Sequence, residues 1–433
     1  MRKPLIVTLV AGALLSMHAY AADLLQVYKD ALANDAQYAS ARAAMAAGEE
    51  KTTQGRAGLL PVIGVSGNQL RIEPDSMPDS ISSSSYTVAL SQPLFRWANW
   101  EQYQQGKLST AISEAQFAQA QQDLIVRVAQ AYFDVLTAQD ALASVQAQKE
   151  AITEQLASAK RNFEVGTATI TDTHEAQARY DLAVAQEFAA QNDLEIRRTA
   201  LQQIIGKTPT QLASLRPGVT LNAPEPAQLD QWVASAETQN YGVVTQQLAV
   251  EIARRDIRKN RAGHLPTVDL VASRTHSNEG ASMINPTGSR GNTNTVGVQW
   301  AIPLFSGFAV TSRVRESIAL EDQARSDLET ARRTAAQGAR QAFLGVSSGL
   351  AQVKALEAAE VSSQSALESN KLGYQVGVRI NIDVLNAQQQ LYSTQRDLAK
   401  ARYDTIMNSL RLKSAAGTLK EDDLVQVNAL LQP

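Results

Sequence analysis

The chain has 433 residues, of which 44% are hydrophobic and only 5% aromatic, with 40 basic and 43 acidic side chains. A formal net charge of −3 excludes the basic footprint of a nucleic-acid binder. The absence of cysteine excludes disulfides, thiolate metal sites, cysteine nucleophiles and a lipidated cysteine anchor.

Residues 1–21 read as a signal peptide: Arg2 and Lys3, an apolar run from Leu5 to Leu15, and Ala19-Tyr20-Ala21 as cleavage site. That run is too short to span a bilayer. No later stretch approaches the roughly 20 apolar residues of a transmembrane helix. A short helix follows, ending at Gly55. Then come two alternating segments at about 61–72 and 84–94, joined by a polar loop at 73–85. Tyr86, Val88 and Leu90 oppose Thr87, Ala89 and Ser91, as in a strand with one apolar face. Phe95, Trp97 and Trp100 come next and suit a membrane interface.

A very long helix follows. Leu124, Val128, Ala131, Val135, Ala138, Leu142, Val145, Ile152, Leu156, Ala159 and Phe163 form one line with a 3.5-residue period, broken only by Lys149. From Ala98 the helix reaches roughly 100 Å at about 1.5 Å per residue. A tight turn at Val165-Gly166-Thr167 leads into a return helix, Thr171–Ile205. Pro209, Pro217, Pro224 and Pro226 then mark an irregular connector.

The second half repeats the first. Arg56-Ala57-Gly58-Leu59-Leu60-Pro61 returns as Arg261-Ala262-Gly263-His264-Leu265-Pro266. Pro93-Leu94-Phe95 returns as Pro303-Leu304-Phe305, and Val165-Gly166 as Val376-Gly377. The repeats are 22–216 and 217–433. The second contains strands at about 266–276 and 294–304, with Phe305 and Phe308 as its interface aromatics. Its turn is Val376-Gly377-Val378, and its return helix keeps the 3.5 period through Ile382, Leu385, Gln389, Tyr392, Arg396, Ala399, Tyr403, Ile406 and Leu410.

Four strands cannot close a membrane barrel, since the smallest have eight. An open edge in lipid leaves backbone groups unpaired, so the barrel is expected to be shared; two chains give eight strands and three give twelve. A short and a return helix together nearly match one long helix. Each chain can therefore supply four equal columns, with segments 22–34, 207–239 and 417–433 forming a belt outside the joints.

Gly345-Val346-Ser347-Ser348-Gly349 fits a hydrolase nucleophile pattern, but it lies inside the second long helix rather than at a strand-to-helix turn. His174, His264 and His276 have no metal-ligand spacing, and no phosphate-binding loop is present. No cofactor and no metal are expected. Asp172, Tyr374, Arg379 and Asp383 flank the two turns. Helix-end chemistry accounts for the two aspartates. An exported coiled-coil fibre or adhesin, and an exported enzyme, remain alternatives. The first leaves the four strands unexplained, and the second lacks a catalytic constellation.

Gly263-His264-Leu265-Pro266-Thr267, Ala131-Tyr132-Phe133-Asp134-Val135-Leu136, and Gly373-Tyr374-Gln375-Val376-Gly377 through Ile382-Asp383-Val384-Leu385 resemble the TolC family of outer-membrane exit ducts. The resemblance covers nearly all of the mature chain. It implies an α+β membrane protein: a trimer with a twelve-stranded β-barrel, four strands per chain, continued by a twelve-helix periplasmic coiled-coil tunnel. It implies outer-membrane lipid around the barrel. It also implies a periplasmic adaptor and an inner-membrane pump of the RND, MFS or ABC type as partners, in drug efflux or type I secretion. By resemblance, Tyr374 and Arg379 bind Thr171 and Asp172 as gate ties. Asp383 and Asn386 stand at the pore constriction, and Val165, Gly166, Thr167, Val376, Gly377 and Val378 dock the adaptor. Asn386 departs from the family, which has a second acid there. The chain stops at Pro433, short of the family's polar tail, which is expected to be dispensable.

Overall fold

The computed structural model describes residues 21–73, 80–209, 211–280 and 287–432; the expected signal peptide lies outside them but for its last residue. The first half runs α1 (Leu24–Asn34), α2 (Ala36–Ala57), β1 (Val62–Ile72), β2 (Ile81–Phe95), α3 (Trp97–Glu164), α4 (Ile170–Ile205) and a short β3 (Ser214–Leu215). The second runs α5 (Leu229–Gln239), α6 (Tyr241–Arg261), a 3-10 turn, β4 (Thr267–Glu279), β5 (Ser289–Ala301), α7 (Ala309–Gln375), α8 (Asn381–Ala415), α9 (Glu421–Asn428) and β6 (Leu431–Gln432).

The long helices α3 and α7 have 68 and 67 residues, so each spans about 100 Å. Shorter helices lie along them. The α2 helix packs on the strand-side part of α3 and α4 on the far part; α6 and α8 do the same on α7. Glycine makes the first of these packings close. A Cβ on Gly106 would stand 2.5 Å from the Lys51 carbonyl oxygen. The heptad line of α3 is buried from Leu124 to Ala159 at nearly every expected position. Lys149, its one break, pairs with Glu187 of α4.

Helix α8 has two buried seams. Leu385, Tyr403, Ile406 and Leu410 face α3 and its neighbours. A second line, Val384, Leu391 and Leu398, recurs every seven residues and packs on α7. The helices therefore run side by side in the order α4, α3, α8, α7.

The sheet order is β1-β2-β4-β5, antiparallel throughout, with β1 and β5 as its edges. The register aligns Ile63, Leu90, Ala272 and Val296 on one rung. The next same-face rung toward the helices holds Gln92, Leu270 and Val298, so most apolar residues share one face, with Val62, Leu70 and Val271 on the other. The opposite face carries small hydroxyl residues; Thr87 and Thr275 touch there, Oγ1 to Oγ1, at 2.9 Å. Three strands differ from the sequence reading, the third by running on to Glu279 instead of 276. The second begins at Ile81 instead of 84, and the fourth covers Ser289–Ala301 instead of 294–304. Backbone pairing with Ser277–Glu279 continues through polar residues that carry no apolar alternation. At its other end β5 stops short of Pro303, which has no N–H to donate. The equivalent Pro93 lies within β2, at a register shift. Arg96, just before α3, forks onto Asp269 of β4 at 2.8 and 2.6 Å and joins the sheet to the helices.

The largest core lies where α1, α9 and the small β3–β6 sheet pack around the middle of α3 and α8. Tyr132 is fully buried there, and its hydroxyl donates to the Ala213 carbonyl at 2.7 Å. Among the described residues, no helix is long and apolar enough to cross a membrane.

Candidate functional site

The far ends of α3 and α7 are built alike. Each long helix ends at a valine followed by a glycine in the left-handed region, Gly166 at φ 77° and Gly377 at φ 81°. This conformation suits glycine because it has no Cβ. The Gly166 N–H donates to the Phe163 carbonyl and the Gly377 N–H to that of Tyr374. No atom lies within 4 Å of the position a Cβ would take at either glycine. Val165, Val376 and Val378 are 73%, 66% and 75% exposed, so both turns carry uncovered apolar rims. Thr167 is exposed and donates from its hydroxyl to the Asn162 carbonyl at 3.0 Å.

The expected gate residues occupy this end, but the single chain pairs them differently. Asp172 forms a capping box at the start of α4: its carboxylate accepts from the Thr169 N–H at 3.0 Å and hydroxyl at 2.9 Å. Thr171 is exposed beside it. Tyr374 accepts at its hydroxyl from the Asn162 amide at 3.1 Å. Arg379, in the turn before α8, lies 3.8 Å from Asp383 in the first turn of that helix. Its stem rests on the backbone of Gly373, where a Cβ would stand 2.6 Å from Arg379 Cγ. Among the described residues of one chain, neither Tyr374 nor Arg379 bonds to Asp172 or Thr171. The capping box already occupies that carboxylate, and Asn162 is nearer to Tyr374.

Three residues that the sequence did not flag join the helices here. Asn381 is fully buried at the start of α8. Its carbonyl oxygen accepts from Gln155 of α3, and its amide donates to the Asp172 carbonyl at 3.3 Å. Asn162 is the second. Arg179 of α4 is the third, and it donates to Gln389 at 2.6 Å and to Asn386 at 3.0 Å, both on α8. Asn381 meets α3 and α4 through its amide, so no apolar period marks it. Arg179 gives no signal in its own surroundings. A groove of about 530 Å³ between α7 and α8 brings together Arg379, Asp383 and Asn386.

At the opposite end, near the sheet, Phe95, Trp97 and Trp100 are 42–43% exposed, and Phe305 and Phe308 are each 75% exposed. The last two meet edge to face at 5.5 Å. Residues 345–349 lie inside α7, where Gly345 and Gly349 admit close approach of Asn408 and Thr405 from α8.

The family described as outer membrane efflux protein matches residues 27–207 and 232–418. The chain is 34% identical over 430 residues to the outer membrane protein TolC of Vibrio cholerae, covering 99% of this chain and 98% of that one. It is also 34% identical over 446 residues to the proteases secretion protein PrtF of Dickeya chrysanthemi, covering 100% and 96%. Among solved structures, it is similar to the outer membrane protein VceC of Vibrio cholerae, with a TM-score of 0.77 and 18% identity over 91% of this chain and 96% of that one.

Proposed function

This chain belongs to the outer membrane efflux protein family, and from that membership we propose how the molecule works. It is an outer-membrane channel of the efflux and type I secretion kind. The adhesin reading has no support. Three chains share one barrel of twelve strands in the outer membrane, and their helices form one tunnel of twelve columns below it. The open edges of β1 and β5 favour such sharing, because an unpaired strand edge in lipid costs several kcal/mol per group. The apolar face of the sheet meets lipid, with Phe95, Trp97, Trp100, Phe305 and Phe308 at the inner interface. The small hydroxyl face lines the duct.

The two glycine turns form the periplasmic tip. A periplasmic adaptor docks on them and connects the duct to an inner-membrane transporter of the RND, MFS or ABC type. Asp383 and Asn386 line the constriction. Arg379 and Tyr374 tie to Thr171 and Asp172 across the contact between chains. The observation that carries this reading is the matched pair of exposed turns, about 100 Å from the sheet and next to the Arg379–Asp383–Asn386 groove. The exposed ties contribute about 1 kcal/mol or less each, so an adaptor can release them. The protein opens passively and needs no chemistry of its own.

The test combines planar bilayers with export in cells. Purified protein should form channels whose single-channel conductance rises in R379S/Y374F. G377E and G166E should insert and conduct, yet fail to support export. Unchanged conductance in the double variant overturns the ties, and normal export by both glycine variants overturns the docking turns.

A further inference from the structure

Asp383 is usually enough to make a narrow passage prefer cations, since a ring of carboxylates attracts them. The surroundings of Asp383 in this chain work against that. Arg379 stands 3.8 Å from it, and Arg179 holds Asn386, three positions further along α8. Asp172, at the start of α4, is engaged by Thr169. The exposed Asp181 carboxylate accepts from Gln177, one turn earlier on α4. Around the groove, the Asp383 carboxylate thus stands beside the Arg379 guanidinium, and a second guanidinium, Arg179, holds the neighbouring Asn386.

We propose that Arg179 sets the ion preference of the constriction and clamps the two return helices beside it. Its planar fork spans two side-chain oxygens one turn apart on α8, Asn386 Oδ1 and Gln389 Oε1. A guanidinium does this with fixed geometry, while an ammonium is a point charge on a flexible stem. The charge acts on passing ions, because Asn386 lines the groove that holds Asp383. The fork acts on closure, because it joins α4 of the first half to α8 of the second. Neither of these neighbours is charged, and among the described residues Arg179 has no ion-pair partner within 4 Å. The proposal rests on the reading that Asp383 and Asn386 line the passage.

R179Q, R179K and D383N trimers in planar bilayers under a potassium chloride gradient, with lanthanum ion as blocker, separate these roles. R179Q should raise the cation-to-anion permeability ratio several-fold, the size expected for one unit charge a few ångströms from a hydrated ion. Lanthanum block should strengthen and conductance should rise. R179K should keep the wild-type ratio and block but conduct more, because the fork is lost and the charge retained. D383N should lower the ratio. Wild-type ratio and conductance in R179Q, with D383N lowering the ratio, overturn the role of Arg179 alone. If D383N also leaves the ratio unchanged, the passage does not run past these residues and the underlying reading falls with it.

Discussion

Asp140 of α3 accepts from the Tyr403 hydroxyl of α8 at 2.7 Å, across the seam between the two halves. Burial pushes the Asp140 carboxyl above its ordinary 3.8, and the Tyr403 hydrogen bond only partly offsets this. Burial also pushes the Tyr403 hydroxyl up, with the Asp140 charge adding to it. The folded state therefore binds the Asp140 proton more tightly than the unfolded state does. Its contribution to stability is fully present below the ordinary carboxyl pKa and is lost as pH rises through the raised value. At neutral pH the ionised carboxylate is a net cost. D140N keeps an acceptor for Tyr403 and removes that cost, so it should raise the apparent Tm at pH 7. The gain should vanish in acid. Y403F leaves a buried carboxylate without its donor and should cost about 1–3 kcal/mol. Circular dichroism melts in mild detergent across pH distinguish the two, and a pH-independent effect of D140N would refute the assignment. At this scale the sequence was legible where backbone conformation dictates the residue, as at Gly166 and Gly377. It was not legible at Asn381, Asn162 or Arg179, whose roles come from partners more than 200 positions away.

At the scale of elements, helix-on-helix contact depends on where side chains are missing. An exposed or open glycine inside a helix costs about 1 kcal/mol relative to alanine, so each retained glycine requires a reason. Gly106 has one, since its Cβ position lies 2.5 Å from a backbone oxygen of α2 that cannot move alone. Gly338 in α7 has no atom within 4 Å of its Cβ position. G106A gains the propensity term but forces α2 away from α3, at about 1–3 kcal/mol, and should lower the apparent Tm. G338A should raise it by up to about 1 kcal/mol. Opposite signs are the decisive outcome; two stabilised variants would mean that α2 does not approach α3 this closely. Periodicity made the α3 line and the α3-facing seam of α8 readable. The α7-facing seam through Val384, Leu391 and Leu398 escaped because a helix buried on two sides satisfies two heptads at once, and one period was sought. The start of β5 escaped for a related reason. Its first residues are polar on both faces, so only backbone pairing marks them as strand.

At the scale of the whole molecule, two levels repeat one arrangement. The sheet has β1 at one edge and β5 at the other. The helices have α4 outermost on one side and α7 on the other. On these outer helices Phe188 is 67% exposed, Leu344 58% and Val361 68%. Each free edge comes from a different half of the repeat, so the proposed contact between chains would be heterologous, with one half meeting the other. Such contacts build closed rings when the rotation per chain divides a full turn, and open filaments otherwise. Two chains or three both satisfy the strand requirement of a barrel, and a covalent count decides between them. The chain has no cysteine, so introduced thiols are the only ones. Ser66 of β1 and Thr293, Thr295 or Gly297 of β5 lie on the small-residue face. If β1 of one chain pairs with β5 of the next, S66C combined with one of T293C, T295C or G297C brings Cβ atoms within about 3.5–4.5 Å and allows a disulfide. Oxidation in outer membranes should then give bands of one, two and three chains on denaturing gels and nothing larger. Single-cysteine controls should stay monomeric. A ladder that stops at two would replace the twelve-stranded barrel with an eight-stranded one, and a ladder without end would show that the contact does not close.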